Sequence, residues 1–373
     1  MKYVIVSTTS NMGGAHIASK KLYDELHKTD LDVSYLSLEK ISGFKYIYKF
    51  FILCERMLKK IFGDTKSTIF SSSGMYGLIS KKDLEKFDIV NIHWISAGCI
   101  SLFVLRNISN KLIITCHDAW WVNGLSHHKS NEKSFLSKYV KDLKKEILIN
   151  SKVIITPSLW LKNEMIKNIP EIKNKIKVIP NITVHHNFQE IKNNYKNIKK
   201  VVIQKRNIKI GVCYSNFYSN TAKGSDDILK LIKYLDKNKL FNFQIIHAGK
   251  IGNNLNEIDI SKYIVHLGEL NSKNMKEFYN SIDIFLNLSK FENLSNTLVE
   301  CLMYAIPSIA YDVGGNKEIN NTNNNICIKY NSNEVILSQS IFDLMNIKTE
   351  FNEQHIQKFT NEKIIKEYKN VCK

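Results

Sequence analysis

The sequence predicts an α/β protein made of two Rossmann-like, doubly wound domains. Short apolar segments rich in Val and Ile alternate with longer amphipathic segments, which is the pattern of βαβ units around a parallel sheet. The alternation lapses in a polar, lysine-rich region around Ile182–Lys205 and then starts again. A chain of 373 residues is also long enough to bury two hydrophobic cores.

In the first domain, the apolar segments are of the length and composition expected for buried strands. We predict strands at Tyr3–Ser7, Val33–Leu36, Ile89–His93, Leu112–His117 and Val153–Pro157. A turn at Asn11–Gly14 leads into a helical pattern over His16–Leu26, and a second helical pattern covers Leu159–Asn168.

The second domain repeats this alternation. We predict strands at Ile208–Tyr214, Phe243–Ala248, Ile264–Leu267, Ile284–Leu288 and Ser308–Tyr311. Helical patterns between them cover Ser225–Leu235, Asn274–Asn280 and Thr297–Tyr304. We therefore expect an N-terminal domain over 1–180, a linker over 181–205 and a C-terminal domain over 206–351. Residues 352–373 read as a closing helix that returns to the N-terminal domain.

The composition restricts the class of protein and its partners. The chain is 44% hydrophobic and has 4 prolines and 15 glycines, which excludes a disordered or collagen-like protein. Its seven cysteines are scattered without a CxxC pair, as in a reducing compartment. No stretch reaches the ~18 apolar residues of a membrane span, and the N-terminus reads as a strand, so we expect a cytoplasmic protein. The net charge of +18 favours a polyanion, a phosphorylated substrate or an anionic membrane surface as a partner.

The segment Ser289–Ile319 carries the clearest chemical signal. A strand runs into a polar loop that contains Glu292, and a helix begins near Asn296 or Thr297 with Glu300 about one turn inside. The free N–H groups and positive dipole of a helix N-terminus suit a diphosphate. Glu300 is then close enough for an attached ribose, and Glu292 for the group beyond the diphosphate. The alternative is a capped helix with two incidental acids.

This segment resembles the Glu–seven residues–Glu signature of retaining, nucleotide-sugar-dependent glycosyltransferases of family 4. The resemblance implies the GT-B fold, in which two Rossmann-like domains face each other across a cleft. It also implies that Glu292 contacts the donor sugar and Glu300 the ribose. The small-residue loop Val313–Gly315 follows the next strand, and we expect it to close the same pocket.

Three further segments fall where that family would place them. Gly13 and Gly14 resemble the family's Gly-Gly-Ala loop, where glycine lets the backbone approach the donor. His117, in the segment Thr115–Trp121, resembles a histidine beside the donor sugar and the leaving phosphate, although a structural histidine is the alternative. Lys223 matches the lysine that holds the donor diphosphate.

The sequence departs from the family pattern just upstream of Lys223. Many members carry a phosphate-binding Arg soon after this strand, whereas Ile210–Phe217 has no basic residue. Lys223 then carries the charge alone, or another basic residue substitutes. The pair His127-His128 lacks further ligands at suitable spacing, so we expect no metal site and no cofactor.

The segment Lys45–Lys66 interleaves apolar and basic residues as in an amphipathic helix. Such a helix can lie on an anionic membrane, and the alternative is a core-facing helix with a solvated basic rim. A membrane-facing helix would hold a cytoplasmic protein at the inner face of the membrane.

These observations predict a retaining glycosyltransferase that uses a nucleotide-sugar donor and a saccharide acceptor in bacterial surface polysaccharide biosynthesis. We expect the acceptor to be lipid-linked. A non-hydrolysing nucleotide-sugar epimerase of the same architecture is the alternative enzyme. A nucleic-acid binder is a remote alternative, because the basic residues are dispersed among acids and no binding motif is present. We therefore expect no nucleic-acid partner.

Overall fold

The computed structural model describes residues 1–10, 13–40, 44–62, 75–126, 134–183, 188–196, 207–252, 261–320, 322, 325–346 and 350–372. The chain divides into two compact units. The N-terminal unit comprises Met1–Ile182 together with Asn361–Lys373, and the C-terminal unit comprises Thr183–Thr360.

The N-terminal unit is built on a parallel sheet of six strands. They are β1 (Lys2–Val6), β2 (Asp32–Leu36), β3 (Ile89–Ile92), β4 (Leu112–Thr115), β5 (Val153–Thr156) and β6 (Ile176–Val178). The strand order is β2-β1-β3-β4-β5-β6. The strand order therefore reverses between β1 and β3, because later strands are added on the other side of β1. In open α/β sheets, ligands bind at such a reversal.

Helices cover both faces of this sheet, so its central strands are buried throughout, as their Val- and Ile-rich composition requires. The α-helices are α1 (Gly14–Leu26), α2 (Phe44–Phe62), α3 (Lys81–Glu85), α4 (Leu102–Asn107), α5 (Phe135–Asn150) and α6 (Leu159–Asn168). Short 3₁₀ helices occur at Leu38–Lys40, Ser109–Lys111, Ala119–Val122 and Pro170–Ile172.

The C-terminal unit contains a second parallel sheet of six strands. They are β7 (Ile208–Cys213), β8 (Phe243–Ala248), β9 (Ile264–His266), β10 (Ile284–Asn287), β11 (Ser308–Tyr311) and β12 (Asn325–Ile328). The order β12-β11-β10-β7-β8-β9 puts the reversal between β7 and β10. Two doubly wound parallel sheets confirm the predicted α/β fold class.

The helices of this unit are α7 (Phe188–Lys196), α8 (Ser225–Asn238), α9 (Ser272–Ser281), α10 (Asn296–Met303), α11 (Asn316–Ile319), α12 (Glu334–Asn346) and α13 (Glu353–Gln357). A 3₁₀ helix at Thr221–Lys223 precedes α8.

The predicted linker needs a correction, because it contains α7. Ile191 of this helix is buried in the core of the C-terminal unit. The side chain of Asn194 donates to the carbonyl of Met303 at 2.9 Å, and the Tyr195 hydroxyl donates to the carbonyl of Leu302 at 2.9 Å. Residues 188–196 thus belong to the C-terminal unit.

The single closing helix expected over 352–373 is also corrected. The chain forms α13 and then a separate helix, α14 (Asn361–Cys372). Only α14 belongs to the N-terminal unit. Ile364 and Tyr368 of α14 are buried beside the strands of β1 and β4, and Lys369 forms an ion pair with Asp30.

Candidate active site

The loop between β10 and α10 is fixed by hydrogen bonds around Ser295. The Ser295 hydroxyl caps α10 by accepting from the Leu298 backbone N–H at 3.3 Å. The Asn287 side chain, at the end of β10, donates to the same hydroxyl at 2.7 Å, and Thr297 lies 3.0 Å from it. The helix begins at Asn296, as predicted, so Asn296 and Thr297 form its first turn.

Two predicted site residues form an ion pair, and one of them, Glu292, belongs to this loop. Lys223 Nζ donates to Glu292 Oε2 at 2.9 Å, although the residues are 69 positions apart. Glu292 is the less exposed partner, with 18% of its side chain accessible against 39% for Lys223. Each follows one of the two strands that flank the reversal, β7 and β10. The arrangement places a cation and a carboxylate together where an anionic, hydroxyl-bearing ligand would need both.

Gly224 allows Lys223 to approach the end of β10. Its φ is +78°, and a Cβ atom there would lie 2.2 Å from the carbonyl oxygen of Leu288. A backbone hydrogen bond of 2.9 Å from Lys290 to the carbonyl of Ala222 holds the two segments together. A larger residue at position 224 would push the lysine away from Glu292.

The predicted small-residue loop after β11 lies against the backbone of Glu292. A Cβ atom at Gly314 would lie 1.8 Å from the Glu292 carbonyl oxygen, and the φ of Gly314 is +58°. The backbone N–H of Gly315 donates to the carbonyl of Asn293 at 2.6 Å. The segment Val313–Gly315 therefore supports the loop that carries Glu292.

Glu300 lies inside α10 and is buried. The hydroxyl of Tyr279, on α9, donates to Glu300 Oε2 at 2.6 Å. Burial raises the pKa of Tyr279 well above its usual value, so the phenol stays protonated and remains a donor. The sequence analysis did not identify Tyr279, because only the packing of α9 beside α10 brings it to Glu300.

Many family members carry a phosphate-binding Arg soon after the strand that corresponds to β7, and this chain does not. Lys290 is a candidate to replace it. Its Nζ lies 2.7 Å from Asp226 and 3.9 Å from Asp227, both at the start of α8. These two carboxylates already balance the Lys290 charge. Lys223, which pairs with one carboxylate among the described residues, is better suited to meet a diphosphate.

In the N-terminal unit, Gly13 and Gly14 lie where β1 passes into α1. Gly13 has a φ of +104°, and among the residues that the structure describes, its chain neighbours aside, no atom lies within 4 Å of a Cβ built there. His16 follows in the first turn of α1 and is buried, with its Nδ1 2.8 Å from the Ser7 hydroxyl.

His117 lies just beyond β4 and contacts a second histidine. Its Nε2 is 3.0 Å from Nδ1 of His93, which follows β3 and is buried. Burial lowers the pKa of His117 and of His16 to about 4 and lowers that of His93 well below its usual range. The edge of this sheet thus carries three neutral imidazoles at neutral pH. Of the three, only His117 was singled out from the sequence. His93 ends the predicted strand Ile89–His93, just as His117 ends Leu112–His117, and this position was the available signal; His16 opens the first predicted helix and carried no such signal.

Two segments of the N-terminal unit that the sequence analysis discussed lie outside the described residues. They are Asn11 and Met12, in the turn before α1, and the pair His127-His128, considered as metal ligands. Among the residues that the structure describes, no three His, Cys, Asp or Glu side chains are grouped as ligands for a metal ion.

The amphipathic segment forms α2, and its two faces differ. Phe51 stacks on Tyr76, with ring centroids 4.9 Å apart, and packs against Gly98. Leu58 packs on the core, and Glu55 is buried. The opposite face exposes five large apolar side chains, each more than half accessible: Tyr46, Phe50, Leu53, Met57 and Ile61. The helix is therefore both partly buried and amphipathic toward solvent.

No helix in the described ranges is both long enough and apolar enough to cross a membrane.

The two doubly wound sheets are those of the GT-B architecture, and comparison with known proteins identifies the class of enzyme. Residues 12–185 match the model of Glycosyltransferase Family 4, and residues 208–346 match that of Glycosyl transferases group 1. The chain belongs to the family 4 glycosyltransferases, and the predicted enzyme class is confirmed.

One curated relative is an uncharacterized 41.2 kDa protein in the cps region of Klebsiella pneumoniae. It is 26% identical over 267 residues, which is 70% of each chain.

Solved structures with this fold span the whole chain. HepE of Anabaena, in complex with UDP, has a TM-score of 0.61 at 12% identity and matches over 100% of this chain and 99% of its own. Sucrose-phosphate synthase of Thermosynechococcus elongatus has a TM-score of 0.62 at 12% identity, over 100% and 98%. A UDP-GlcNAc 2-epimerase of Methanocaldococcus jannaschii scores 0.51 at 14% identity, over 100% and 99%. At these identities the likeness shows the fold alone.

Proposed function

We propose that the protein transfers a sugar, with retention of configuration, from a nucleoside-diphosphate donor to a saccharide acceptor. The observation that carries the proposal is the Lys223–Glu292 pair, whose carboxylate belongs to the loop that leads into α10. A nucleotide sugar needs a cation for its diphosphate and acceptors for its hydroxyl groups, and this edge of the sheet offers both. The UDP bound by HepE supports the choice of donor class.

Each part of the donor has a matching group in the C-terminal unit. Lys223 and the N–H groups of Asn296 and Thr297 would hold the diphosphate. Glu300, oriented by Tyr279, would accept from the ribose hydroxyls, and Glu292 would accept from the sugar. In the N-terminal unit, Gly13, Gly14 and His117 would serve the donor sugar and the leaving phosphate, as the resemblance implies.

In the transfer, the bond between the anomeric carbon and the diphosphate oxygen breaks, and the acceptor hydroxyl oxygen bonds to the same carbon from the same face. The proton of that hydroxyl passes to the departing phosphate oxygen. Negative charge grows on the diphosphate during this step, and Lys223 and the α10 N–H groups would stabilise it. The proposal assigns no cofactor, no metal and no covalent nucleophile.

We further propose that the acceptor is lipid-linked and that α2 holds the enzyme on an anionic membrane during surface polysaccharide synthesis. The five exposed apolar residues of α2 recur at spacings of three and four, which aligns them in one stripe. Lys49, Arg56 and Lys60 are exposed along one side of that stripe. Each basic residue near an anionic surface contributes roughly 1 kcal/mol. The cps-region relative supports the polysaccharide role.

A thermal-shift screen against UDP-, GDP- and ADP-sugars tests the donor, because a ligand that binds only the folded state raises the melting temperature. Product analysis of the stabilising donor, with and without a saccharide acceptor, then tests transfer. An epimerase would convert the donor sugar when no acceptor is present, whereas a transferase would need the acceptor. A protein that no nucleotide sugar stabilises would contradict the proposal.

A further inference from the structure

The contact between His93 and His117 constrains where each ring carries its proton. A hydrogen bond between two neutral imidazoles uses the N–H of one ring and the lone pair of the other. The bond here joins Nδ1 of His93 and Nε2 of His117 at 3.0 Å. The other nitrogen of His93, Nε2, is buried and has no hydrogen-bond partner among the described residues.

The two proton arrangements differ in whether the unpaired Nε2 of His93 is a donor or an acceptor. If His117 donated from Nε2, then His93 would accept at Nδ1 and carry its own proton on the buried Nε2, which would be an unpaired donor. If His93 donates from Nδ1, its Nε2 holds only a lone pair. Buried N–H groups without a partner are rarer in folded proteins than acceptors that lack one. The second arrangement is therefore favoured.

We propose that His93 is a positioning residue whose Nδ1–H donates to Nε2 of His117 and so keeps the proton of His117 on Nδ1. His117 then carries its N–H at Nδ1, and its Nε2, whose lone pair accepts from His93, is not available to take a proton. This inference rests on the proposed function, since it concerns how His117 would serve a donor sugar or leaving phosphate. In that role His117 donates a hydrogen bond and does not act as a general base.

The neighbouring histidine supports a cluster of fixed, neutral rings. The backbone N–H of Thr9 points to Nδ1 of His16 at 3.5 Å, and the Ser7 hydroxyl lies 2.8 Å from the same nitrogen. An N–H can only donate, so Nδ1 of His16 is the acceptor and its proton lies on Nε2. Burial is the main cause that lowers the pKa of all three histidines; His16 and His117 lower that of His93 further, and His16 lowers that of His117. Asp118 and Glu39 act in the opposite direction on His117 and His16, and burial outweighs them.

Histidine ¹⁵N NMR of the full-length protein tests the assignment without any ligand. In the wild type, we expect the proton of His117 on Nδ1. His93→Phe keeps an apolar ring but removes the donor, and we expect His117 to move toward the Nε2–H form. His93→Asn should restore the Nδ1–H form, because the Asn side-chain nitrogen is attached to Cγ as Nδ1 is in histidine. An Nε2–H form in the wild type, or no change in His93→Phe, would overturn the proposal.

Kinetics supply the second readout, with the UDP-, GDP- or ADP-sugar that the wild type turns over fastest. We expect His93→Phe to lower kcat by about tenfold with little change in KM, and His93→Asn to recover most of the loss. His355→Phe is the matched control, because it removes a buried histidine of the other unit that bonds the Ile319 carbonyl at 2.9 Å. Equal loss of kcat in the control and in His93→Phe would show that lost stability, and not positioning, is the cause. Absence of turnover in the wild type would instead contradict the proposed function, and the NMR result would still decide the proton position.

Discussion

Nζ of Lys223 lies 2.9 Å from Oε2 of Glu292, so the cation assigned to the diphosphate is already paired with the carboxylate assigned to the sugar. The two residues come from the loops that follow β7 and β10, on either side of the strand-order reversal. A bound diphosphate would compete with Glu292 for the lysine. Binding of the donor would then release Glu292 to meet the sugar hydroxyls.

This pairing gives opposite expectations for binding and for turnover in Glu292→Gln. The substitution keeps the side-chain size and removes the charge that holds Lys223. We expect free UDP to bind as tightly as in the wild type or more tightly, whereas turnover of the sugar donor falls by about tenfold or more. Calorimetric titration with UDP and steady-state assays measure the two effects. Weaker UDP binding with normal turnover would contradict the assignment of Glu292.

Gly314→Ala tests whether the loop after β11 supports Glu292. The new methyl group would meet the Glu292 carbonyl, which costs about 1–3 kcal/mol in addition to the strain of a positive φ. Gly268→Ala is the matched control, because Gly268 also has a positive φ (+73°) but, in the described ranges, no atom within 4 Å of its built Cβ. We expect a larger fall in melting temperature and in donor turnover for Gly314→Ala. Equal falls would show that the loop does not bear on Glu292.

Association with an anionic membrane is expected to depend on both features of α2. Lys49→Glu/Lys60→Glu should weaken binding to vesicles that contain phosphatidylglycerol, and Phe50→Ser/Met57→Ser should weaken it at high salt as well. Co-sedimentation at two salt concentrations separates the electrostatic and apolar contributions. Lys167→Glu/Lys173→Glu is the control, since these exposed lysines lie elsewhere on the same unit. Binding that is absent, or equally weakened by the control, would contradict the proposed surface.

The neutral histidines predict how stability depends on pH. Burial lowers the pKa of His16 to about 4 from its usual 6.5. Between these values the unfolded chain binds more protons than the folded protein, so stability falls as the pH falls from about 6.5 to 4. His16→Asn removes this titration and keeps an acceptor near the Thr9 N–H. We expect a smaller loss of melting temperature between pH 7 and pH 5 than in the wild type. The exposed His27→Asn is the control, and an equal loss in all three proteins would contradict the assignment.

The strand ends were predictable from the sequence, because parallel strands buried on both faces are continuous apolar runs that stop abruptly at polar residues. Glu292 was found in the polar loop after such a run, and His117 at the end of another. Lys223 was identified only through the resemblance to the family pattern. The helix α7 was missed because its apolar residues, Phe188, Ile191 and Tyr195, are few among many Asn and Lys. Their spacing of three and four residues was the available signal.

Contacts between distant segments were beyond sequence reasoning. The bond from Tyr279 to Glu300 requires α9 to pack beside α10, and the bond between His93 and His117 requires β3 and β4 to be neighbours. A single sequence shows neither pairing. The break in the closing helix, between α13 and α14, was also not evident from the sequence. At this break the chain passes from the C-terminal unit to the N-terminal unit.

The most direct test of a nucleotide-sugar site is calorimetric titration of UDP into the wild type, Glu300→Gln and Tyr279→Phe. Glu300→Gln removes a charge-assisted hydrogen bond worth ~1.5–3 kcal/mol, which corresponds to an affinity roughly 10- to 150-fold lower. Tyr279→Phe leaves the carboxylate in place and removes one hydrogen bond that orients it, and we expect a smaller loss in the same direction. If UDP, GDP and ADP all fail to bind the wild type, or if Glu300→Gln binds UDP as tightly as the wild type while only its melting temperature falls, then Glu300 is structural and the central claim is wrong.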